Sequence, residues 1–407
     1  MQKSELMQLR RFIIELGISL HAYGAPSHRL ENLLQETTDV LGVEGTFLVT
    51  PTTMHFLFRE KDADEEHSHI ERVQPNALDL NRLAHTHNLV DQVLAGQVNL
   101  EQGLARLEQI KRMPEPYSRS LVFLAWGVLS ASFAAVCGAG VHDVVASCAA
   151  GWLVYGLVVL AEHSTRLTEM LEPLAALLIA LVSSGVAALG GQFNVPIVIL
   201  SGIIAFIPGL VLTIGLRELA ARHLLSGTAR IMDAGMMTFK LYFGALFGLA
   251  LGALWWAAPM IPVQPSTASW ASYLAILGLS LSLLIIFKIS WRDAPWGLLS
   301  GVLAYLSADL GTQLFGTSLG GLVGAFVVGL YANAYSLIKN RPTATVLLPG
   351  IVLLVPGSKI YIGLNNLVTG EAIIANTVNG AEVFLAFMAI VAGLMFANMV
   401  LPPKRRH

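Results

Sequence analysis

Hydrophobic residues follow two different patterns along the chain. Up to residue 118, apolar positions recur at helical spacing, as at Leu6, Leu9, Ile13, Leu16 and Leu20, or cluster in short β-branched and aromatic stretches. This pattern predicts amphipathic helices and strands. Beyond residue 118 the apolar stretches are continuous, and many approach the roughly 20 residues needed to cross a bilayer. We therefore expect an α+β domain over residues 1–118, followed by an α-helical polytopic membrane region.

The N-terminal domain should combine four helices with a small sheet. Gly24 ends the first helix, and Pro26 suits the first turn of the second. The stretches TFLVT and MHFLF, joined by a short turn at Pro51, are typical of a hairpin, and HSHIERV is a candidate third strand. The first, third and fourth predicted helices cover residues 4–22, 77–95 and 100–112.

Ten transmembrane helices are predicted after this domain. They cover residues 119–138, 142–161, 171–190, 195–214, 232–257, 270–288, 295–310, 317–337, 343–358 and 380–401. Continuous apolar stretches favour helices over a β-barrel, whose strands alternate apolar and polar residues. We divide the helices into two units of five, residues 119–258 and 259–407.

Composition and charge support an N-terminal domain followed by a membrane region. The chain is 55% hydrophobic and only 13% charged, and residues 1–118 hold eleven of the 25 basic and seventeen of the 27 acidic residues. The net charge of −2 argues against a nucleic-acid partner. The first residues lack the apolar region and cleavage site of a signal peptide.

Basic residues indicate the orientation. Lys and Arg recur in alternate loops, which predicts that both termini and the N-terminal domain are cytoplasmic. They lie at Lys111, Arg112, Arg119, Arg166, Arg217, Arg222, Arg230, Lys288, Arg292, Lys339, Arg341, Lys404, Arg405 and Arg406. The segment 359–371, with Lys359 and Glu371, departs from this pattern.

One stretch of fifteen residues occurs twice in similar form. GIIAFIPGLVLTIGL at 202–216 and GIVLLVPGSKIYIGL at 350–364 share seven of fifteen positions. The copies fall in the fourth and ninth predicted spans, so they should cross the membrane in opposite directions. This is the pattern of an inverted-topology repeat with two broken helices.

Weaker echoes favour the same 5+5 division. The alignment pairs Asp143 with Asp293 and places Asp233 opposite Asn376. Glycines spaced by four residues form faces on which helices approach closely. They lie at Gly244, Gly248 and Gly252, and at Gly316, Gly320 and Gly324. These faces pack either within one protomer or between protomers, so a homo-oligomer remains an open alternative.

The two Pro-Gly pairs are the predicted substrate site. Proline and glycine interrupt a helix and free backbone polar groups, which must face protein or a watery cavity. Half-helix ends carry partial charges suited to a zwitterion. The candidate residues are Pro208, Gly209, Thr213, Pro356 and Gly357. The alternative is a pair of packing kinks without a ligand.

Ionisable residues within the apolar stretches are candidates for proton coupling. Asp233 is the first choice, because a desolvated carboxylate can cycle protons. Lys240 lies two helical turns further on and is either its charge partner, a ligand for a substrate carboxylate, or a snorkelling surface residue. Glu172, Asp309 and Glu382 lie near predicted membrane interfaces.

Enzymatic and metal chemistry find little support. His67 with His69, and His85 with His87, lack the companions of a metal site. No His-Glu-x-x-His pattern is present. We therefore expect a protein that is not an enzyme and needs no cofactor.

Two motifs resemble the threonine/serine exporter family. The first is GAPSHRLE at 24–31, where Gly24, Ala25, Arg29 and Glu31 match. Pro26 stands where the family commonly has a residue with a hydroxyl group. The second is RELAARHLLSGTARIMDA at 217–234, with Gly227, Arg230 and Asp233 as matching residues. The spans after about residue 270 resemble the family's second membrane unit.

The resemblance implies a secondary transporter of the bacterial inner membrane that exports small hydroxy amino acids, driven by protons. Arg29 and Glu31 would act in gating or ligand binding, or simply tie the second helix to its neighbours. A dicarboxylate exporter, a membrane-anchored hydrolase and a sensor whose soluble domain binds a signal remain alternatives.

Overall fold

The computed structural model describes residues 3–60, 66–74, 77–256, 269–369 and 380–403. The N-terminal part contains helices α1 (Lys3–Ala22), α2 (Ser27–Val40), α3 (Leu80–Leu94) and α4 (Leu100–Lys111), with strands β1 (Val43–Val49), β2 (Thr53–Glu60) and β3 (Glu66–Arg72). Each of these elements was expected from the hydrophobic pattern. Pro26, however, precedes α2 as its N-cap instead of occupying its first turn.

The three strands form one antiparallel sheet in the order β1-β2-β3. Residues of β1 alternate between buried and exposed, because one face of the sheet packs against the helices. Phe56 and Phe58 of β2 are buried in the same core as Phe12 and Leu16 of α1. This core continues into the membrane helices through Leu348.

The remaining helices are strongly apolar. They are α5 (Arg119–Val136), α6 (Val141–Ala161), α7 (Thr165–Glu169), α8 (Leu171–Ala188), α9 (Val195–Gly202), α10 (Gly209–Ala220), α11 (Leu224–Trp255), α12 (Ser269–Ile286), α13 (Ala294–Phe315), α14 (Thr317–Lys339), α15 (Ala344–Leu354), α16 (Gly357–Thr369) and α17 (Gly380–Val400). The chain is thus a mostly helical, multi-pass membrane protein.

Eight helices within the described ranges are long and apolar enough to cross a membrane. In this count the segment Ala344–Asn366, which covers α15 and most of α16, is one helix. The count is nine if α9 and the helical segment Ile204–Ala220, bent by 47° at their junction, form one span. The stretch Ala271–Ile286 of α12 is shorter, though also apolar.

Some predicted boundaries differ from the observed ones. Helix α11 begins at Leu224, eight residues before the expected start at residue 232, because a hydropathy pattern excludes the charged residues that this helix carries in its first turns. Helix α13 continues to Phe315, so Asp309 lies within it and does not end it. Asn376 and Glu371 lie outside the described residues.

Glycines allow the long helices to pack backbone against backbone. A Cβ atom at Gly244 or Gly248 of α11 would lie 2.3 Å from the carbonyl oxygen of Pro173 or Leu177 in α8. A Cβ at Gly393 of α17 would lie 2.3 Å from the carbonyl of Leu322 in α14. Gly244 and Gly248 therefore pack within the chain.

The N-terminal part is joined to the membrane helices by backbone hydrogen bonds. The amides of Leu80 and Asn81 at the start of α3 donate to the carbonyls of Phe287 and Lys288, both at 3.1 Å. The Tyr117 hydroxyl donates to the Ile289 carbonyl at 2.6 Å. The connection between α12 and α13 is thereby held against α3.

A pair of substitutions in α11 tests the glycine packing. Gly248→Ala should lower the free energy of unfolding by about 1–3 kcal/mol, since the methyl group meets the Leu177 carbonyl and forces the helices apart. Gly235→Ala in the same helix meets nothing within 4 Å, and alanine is the better helix former by about 1 kcal/mol. Thermal unfolding of the two purified variants should therefore move in opposite directions; equal shifts would contradict the packing.

Candidate functional site

Two helices break at the repeated Pro-Gly pairs. Helix α9 ends at Gly202, a 3₁₀ turn covers Ile204–Phe206, and α10 begins at Gly209 directly after Pro208. Helix α15 ends at Leu354, Val355 is extended, and α16 begins at Gly357. Proline lacks an amide hydrogen and clashes with the preceding turn, which explains why both helices stop at corresponding points.

The two breaks touch each other. A Cβ at Gly209 would lie 3.2 Å from the Gly357 Cα and 2.6 Å from Val355 Cγ1. A Cβ at Gly357 would lie 2.9 Å from the Gly209 Cα and 3.1 Å from Ile207 Cγ2. The contact is reciprocal, because each glycine meets the other glycine and the residue two positions before it. Backbones approach this closely only where both residues lack a side chain.

A cavity of about 1080 Å³ surrounds this contact. Pro208, Gly209, Pro356 and Gly357 all line it, so the structure brings together four of the predicted substrate-site residues. Most other lining residues are apolar. At one end the lining comes from the N-terminal part, namely His21, Gly24, Ala25, Pro26, Pro51, Ala77 and Leu78.

Three charged side chains line the described part of the cavity, together with His21. They are Arg230 of α11, Lys359 of α16 and Glu382 of α17. Lys359 and Glu382 are exposed, and Arg230 is half-buried. The sequence pattern singled out Glu382, while Lys359 was noted only as an exception to the charge distribution.

The other predicted site residues lie elsewhere. Thr213 is buried and donates from its hydroxyl to the Gly209 carbonyl at 3.0 Å, so it satisfies a backbone group at the start of α10. Asp233 and Lys240 are exposed and are not among the described residues that line the cavity. Asp309 is exposed and accepts a hydrogen bond from Gln313. Glu172 is half-buried.

Arg230 belongs to a buried cluster that the sequence did not reveal. Its Nε donates to Oε2 of Glu218 at 3.0 Å. The same oxygen accepts from the Ser226 hydroxyl at 2.7 Å, and Oε1 accepts from the Ser27 amide at 3.0 Å. The Ser27 and Ser226 hydroxyls are 2.7 Å apart. Glu218 is 0% exposed, and these three donors supply what a buried carboxylate requires.

The two motifs that carry the family resemblance therefore meet in space. Arg29 of α2 donates to the Thr343 hydroxyl, which precedes α15. Glu31 accepts from the Val49 amide at 2.8 Å and lies 3.2 Å from Nδ1 of His223. Burial raises the pKa of Glu31, while the bond from Val49 opposes that rise. Both residues tie α2 to its neighbours.

His28 is half-buried at the same junction. Its ring lies 5.9 Å from the ring of His223. Burial lowers the pKa of His28 to about 3, and the positive charges of Arg217 and Arg29 add to this effect. The imidazole is therefore neutral at physiological pH.

The two aspartates that the sequence alignment pairs are both buried at connections between helices. Asp143 in the first turn of α6 accepts from the amides of Gly140 at 3.0 Å and Asn194 at 2.6 Å. Asp293 before α13 accepts from the hydroxyls of Ser290 and Tyr335, both at 2.7 Å. Both carboxylates are buried and anchor connections between helices.

The fold and site define a multi-pass membrane protein in which two broken helices meet inside a cavity. Two family descriptions match the chain. "Putative threonine/serine exporter" matches residues 11–252, and "Threonine/Serine exporter, ThrE" matches residues 268–400. The chain belongs to the threonine/serine exporter family in its two-part form, which confirms the resemblance seen in the motifs.

Two similar proteins are fungal. Pheromone-regulated membrane protein 10 of Candida albicans is 26% identical over 379 residues, which cover 89% of this chain and 34% of that protein. The protein of the same name from Eremothecium gossypii is 28% identical over 367 residues, covering 87% and 48%. The chain thus spans about a third to a half of their length. No solved structure shows a significant match.

His28 should make stability fall at acidic pH. Its pKa is about 3 in the folded state and about 6.5 when unfolded. Between these values the unfolded chain binds a proton that the folded chain does not, so stability is complete above pH 6.5 and declines as the pH falls. His28→Gln should reduce the loss of stability between pH 6.5 and pH 5 by at most about 2 kcal/mol.

Thermal unfolding of the purified protein at the two pH values measures this loss. His163→Gln, which changes an exposed histidine, is the matched control and should keep the parent's pH dependence. An unchanged pH dependence in His28→Gln would exclude a lowered pKa for His28 in the folded protein.

Proposed function

We propose that the chain is a secondary active transporter that exports threonine, serine and similar small hydroxy amino acids, coupled to protons, by alternating access. The observation that carries this proposal is the reciprocal contact of Gly209 and Gly357 inside one cavity. Transporters commonly bind substrate where interrupted helices meet near the membrane midplane. Family membership supports the export direction and the substrate class.

Corresponding contacts support an inverted repeat of two five-helix units, residues 119–258 and 259–407. Gly244 meets the Pro173 carbonyl as Gly393 meets the Leu322 carbonyl. These two pairs are separated by the same interval along the chain. The packing of α8 on α11 likewise corresponds to that of α14 on α17. The ten predicted helices would then comprise the long spans, the two broken helices and the shorter α12.

This register changes one assignment. The glycine contacts make Glu382 the counterpart of Asp233, whereas the sequence alignment paired Asp233 with Asn376. Glu382 lines the cavity, so we assign proton coupling first to Glu382. Asp233 would take the equivalent position when the other unit opens. Glu172 and Asp309 are secondary candidates.

The half-helices account for recognition of a zwitterion. Helices α10 and α16 both begin at the contact between the breaks, and helix N-termini carry partial positive charge that attracts a carboxylate. Glu382 supplies a negative charge for the substrate ammonium group. Alternating access would follow from rocking of the two units about the Gly209–Gly357 contact, with the termini and the N-terminal domain on the cytoplasmic side of the inner membrane.

A dicarboxylate exporter is the second candidate. Two cations, Arg230 and Lys359, line the cavity and would suit a substrate with two carboxylates. Arg230 is already paired with Glu218, which leaves Lys359 and Glu382 as one positive and one negative charge. This balance favours a zwitterionic amino acid.

Export from cells that express the chain tests both candidates. Cells loaded with labelled threonine, serine, succinate or leucine should release threonine and serine faster than cells with an empty vector, and a protonophore should stop this release. Release of succinate alone would favour the dicarboxylate candidate. Threonine release that ignores the protonophore would exclude proton coupling.

Closing the gap between the two breaks should block transport. Gly357→Ala places a methyl group 2.9 Å from the Gly209 Cα, which the backbones accommodate only by separating. We expect threonine export to fall to the empty-vector level while the protein still reaches the membrane. Gly156→Ala, where a Cβ meets nothing within 4 Å, should export normally, and normal export by both variants would contradict the assignment.

Glu382→Gln should uncouple transport from protons. In vesicles that contain purified protein, a pH gradient should no longer drive threonine accumulation, because the amide cannot be protonated and deprotonated in the cycle. Exchange of internal for external threonine should persist. Asp309→Asn, outside the described cavity lining, serves as the comparison and should keep gradient-driven uptake; the opposite pattern would make Asp309 the coupling residue.

A further inference from the structure

The corner between α1 and α2 forms part of the cavity lining. Gly24, Ala25 and Pro26 of this corner line the cavity, and Ser27 follows them directly as the first residue of α2. Whatever holds Ser27 in place therefore holds this corner over the cavity. His21 at the end of α1 also lines the cavity.

Ser27 is held by Glu218, 191 residues further along the chain. The Ser27 amide donates to Glu218 Oε1 at 3.0 Å. Since the Ser226 hydroxyl donates to Glu218 Oε2 at 2.7 Å, the Ser27 hydroxyl donates in turn to Ser226 at 2.7 Å. Ser27 and Glu218 are each 0% exposed. These hydrogen bonds join α2 to α10 and α11 without intervening solvent.

Glu218 is also connected to the first of the two breaks. It lies near the end of α10, which begins at the break residue Gly209. A helix is stiff and rises about 1.5 Å per residue. A displacement at the start of α10 therefore also moves the end of α10. The second bond of Glu218 Oε2 holds Arg230, whose side chain lines the cavity. Movement of the break is thus connected to the corner through one carboxylate.

The charges around Glu218 are predominantly positive. The titratable and charged residues at this junction are His21, His28, Arg29 and Glu31 on the N-terminal side and Arg217, His223 and Arg230 on the membrane side. Removing the charge of Glu218 would leave Arg230 without its acidic partner in a cationic environment, so the junction depends on this carboxylate.

We infer that Glu218 is a positioning residue that latches the α1–α2 corner over the cavity, and that this end of the cavity opens only when the Ser27–Glu218–Ser226 junction separates. The inference rests on the proposed transport function. It adds a moving part to that function, because the α1–α2 corner must separate from α10 and α11 during each cycle.

A reversible cross-link tests whether the junction separates. The Ser27 and Ser226 hydroxyls are 2.7 Å apart, so Ser27→Cys with Ser226→Cys brings two sulfurs within reach of a disulfide after a small adjustment. The native cysteines are first replaced by Cys137→Ala and Cys148→Ala. Oxidation should abolish threonine export, reduction should restore it, and each single-cysteine variant should be insensitive to oxidant.

Two outcomes of this experiment are distinguishable. Full export by the oxidised, cross-linked protein would overturn the latch while leaving the transport function intact. Absence of threonine export from the parent protein would instead contradict the proposed function. The latch is then judged by a measurement that needs no substrate.

That measurement is the accessibility of the cavity from the cytoplasmic side. Met237 of α11 lines the cavity, and Met237→Cys in the cysteine-free background reports labelling by a membrane-impermeant thiol reagent in inside-out vesicles. Glu218→Gln should raise the labelling rate several-fold, and Glu218→Asp should return it part of the way to the parent rate.

Asp143→Asn is the matched control. Asp143 is also a buried carboxylate that accepts backbone hydrogen bonds, but from Gly140 and Asn194, away from the corner. Its labelling rate should stay at the parent value. Equal rates in Glu218→Gln and the parent, or an equal rise in Asp143→Asn, would show that Glu218 has no specific role as a latch.

Discussion

The approach of Gly209 to Gly357 determines how the two broken helices are arranged. Each glycine would place a Cβ within about 3 Å of the other backbone, so neither position accepts a side chain. The prolines beside them end the helices, and the freed backbone groups need protein or a cavity around them. The cavity surrounds this contact, and α10 and α16 both begin at it.

The sequence predicted this contact because its signal is local and repeated. Pro208-Gly209 and Pro356-Gly357 interrupt apolar stretches where an interruption is costly, and their duplication pointed to two equivalent helices. The helices and strands of the N-terminal part were predictable for a similar reason, since amphipathic spacing reflects one buried face. The alignment of Asp233 with Asn376 is weaker evidence for the proposed repeat, because a short polar match carries less information than packed glycines.

Glu218 could not be predicted in the same way. It lies in a stretch with Arg217, Arg222 and Arg230 that reads as a charged loop at the membrane surface, and its main partner, Ser27, is 191 residues away. Asp233 attracted attention as a charge in an apolar stretch. Helix α11, however, begins at Leu224 and turns Asp233 outward. A charge in an apolar stretch identifies a residue whose burial is energetically unfavourable. Only the tertiary structure shows which of these residues face the interior.

The position of Glu218 has a further physical consequence. Its carboxylate is fully buried and accepts from Ser27, Ser226 and Arg230, so breaking any one bond leaves a charged group underpaired in a low-dielectric environment. Such a cluster favours two arrangements, assembled or solvated, over intermediate ones. Because α10 connects it to the Gly209 break, a change at the contact between the broken helices is converted into a discrete opening or closing of the α1–α2 corner.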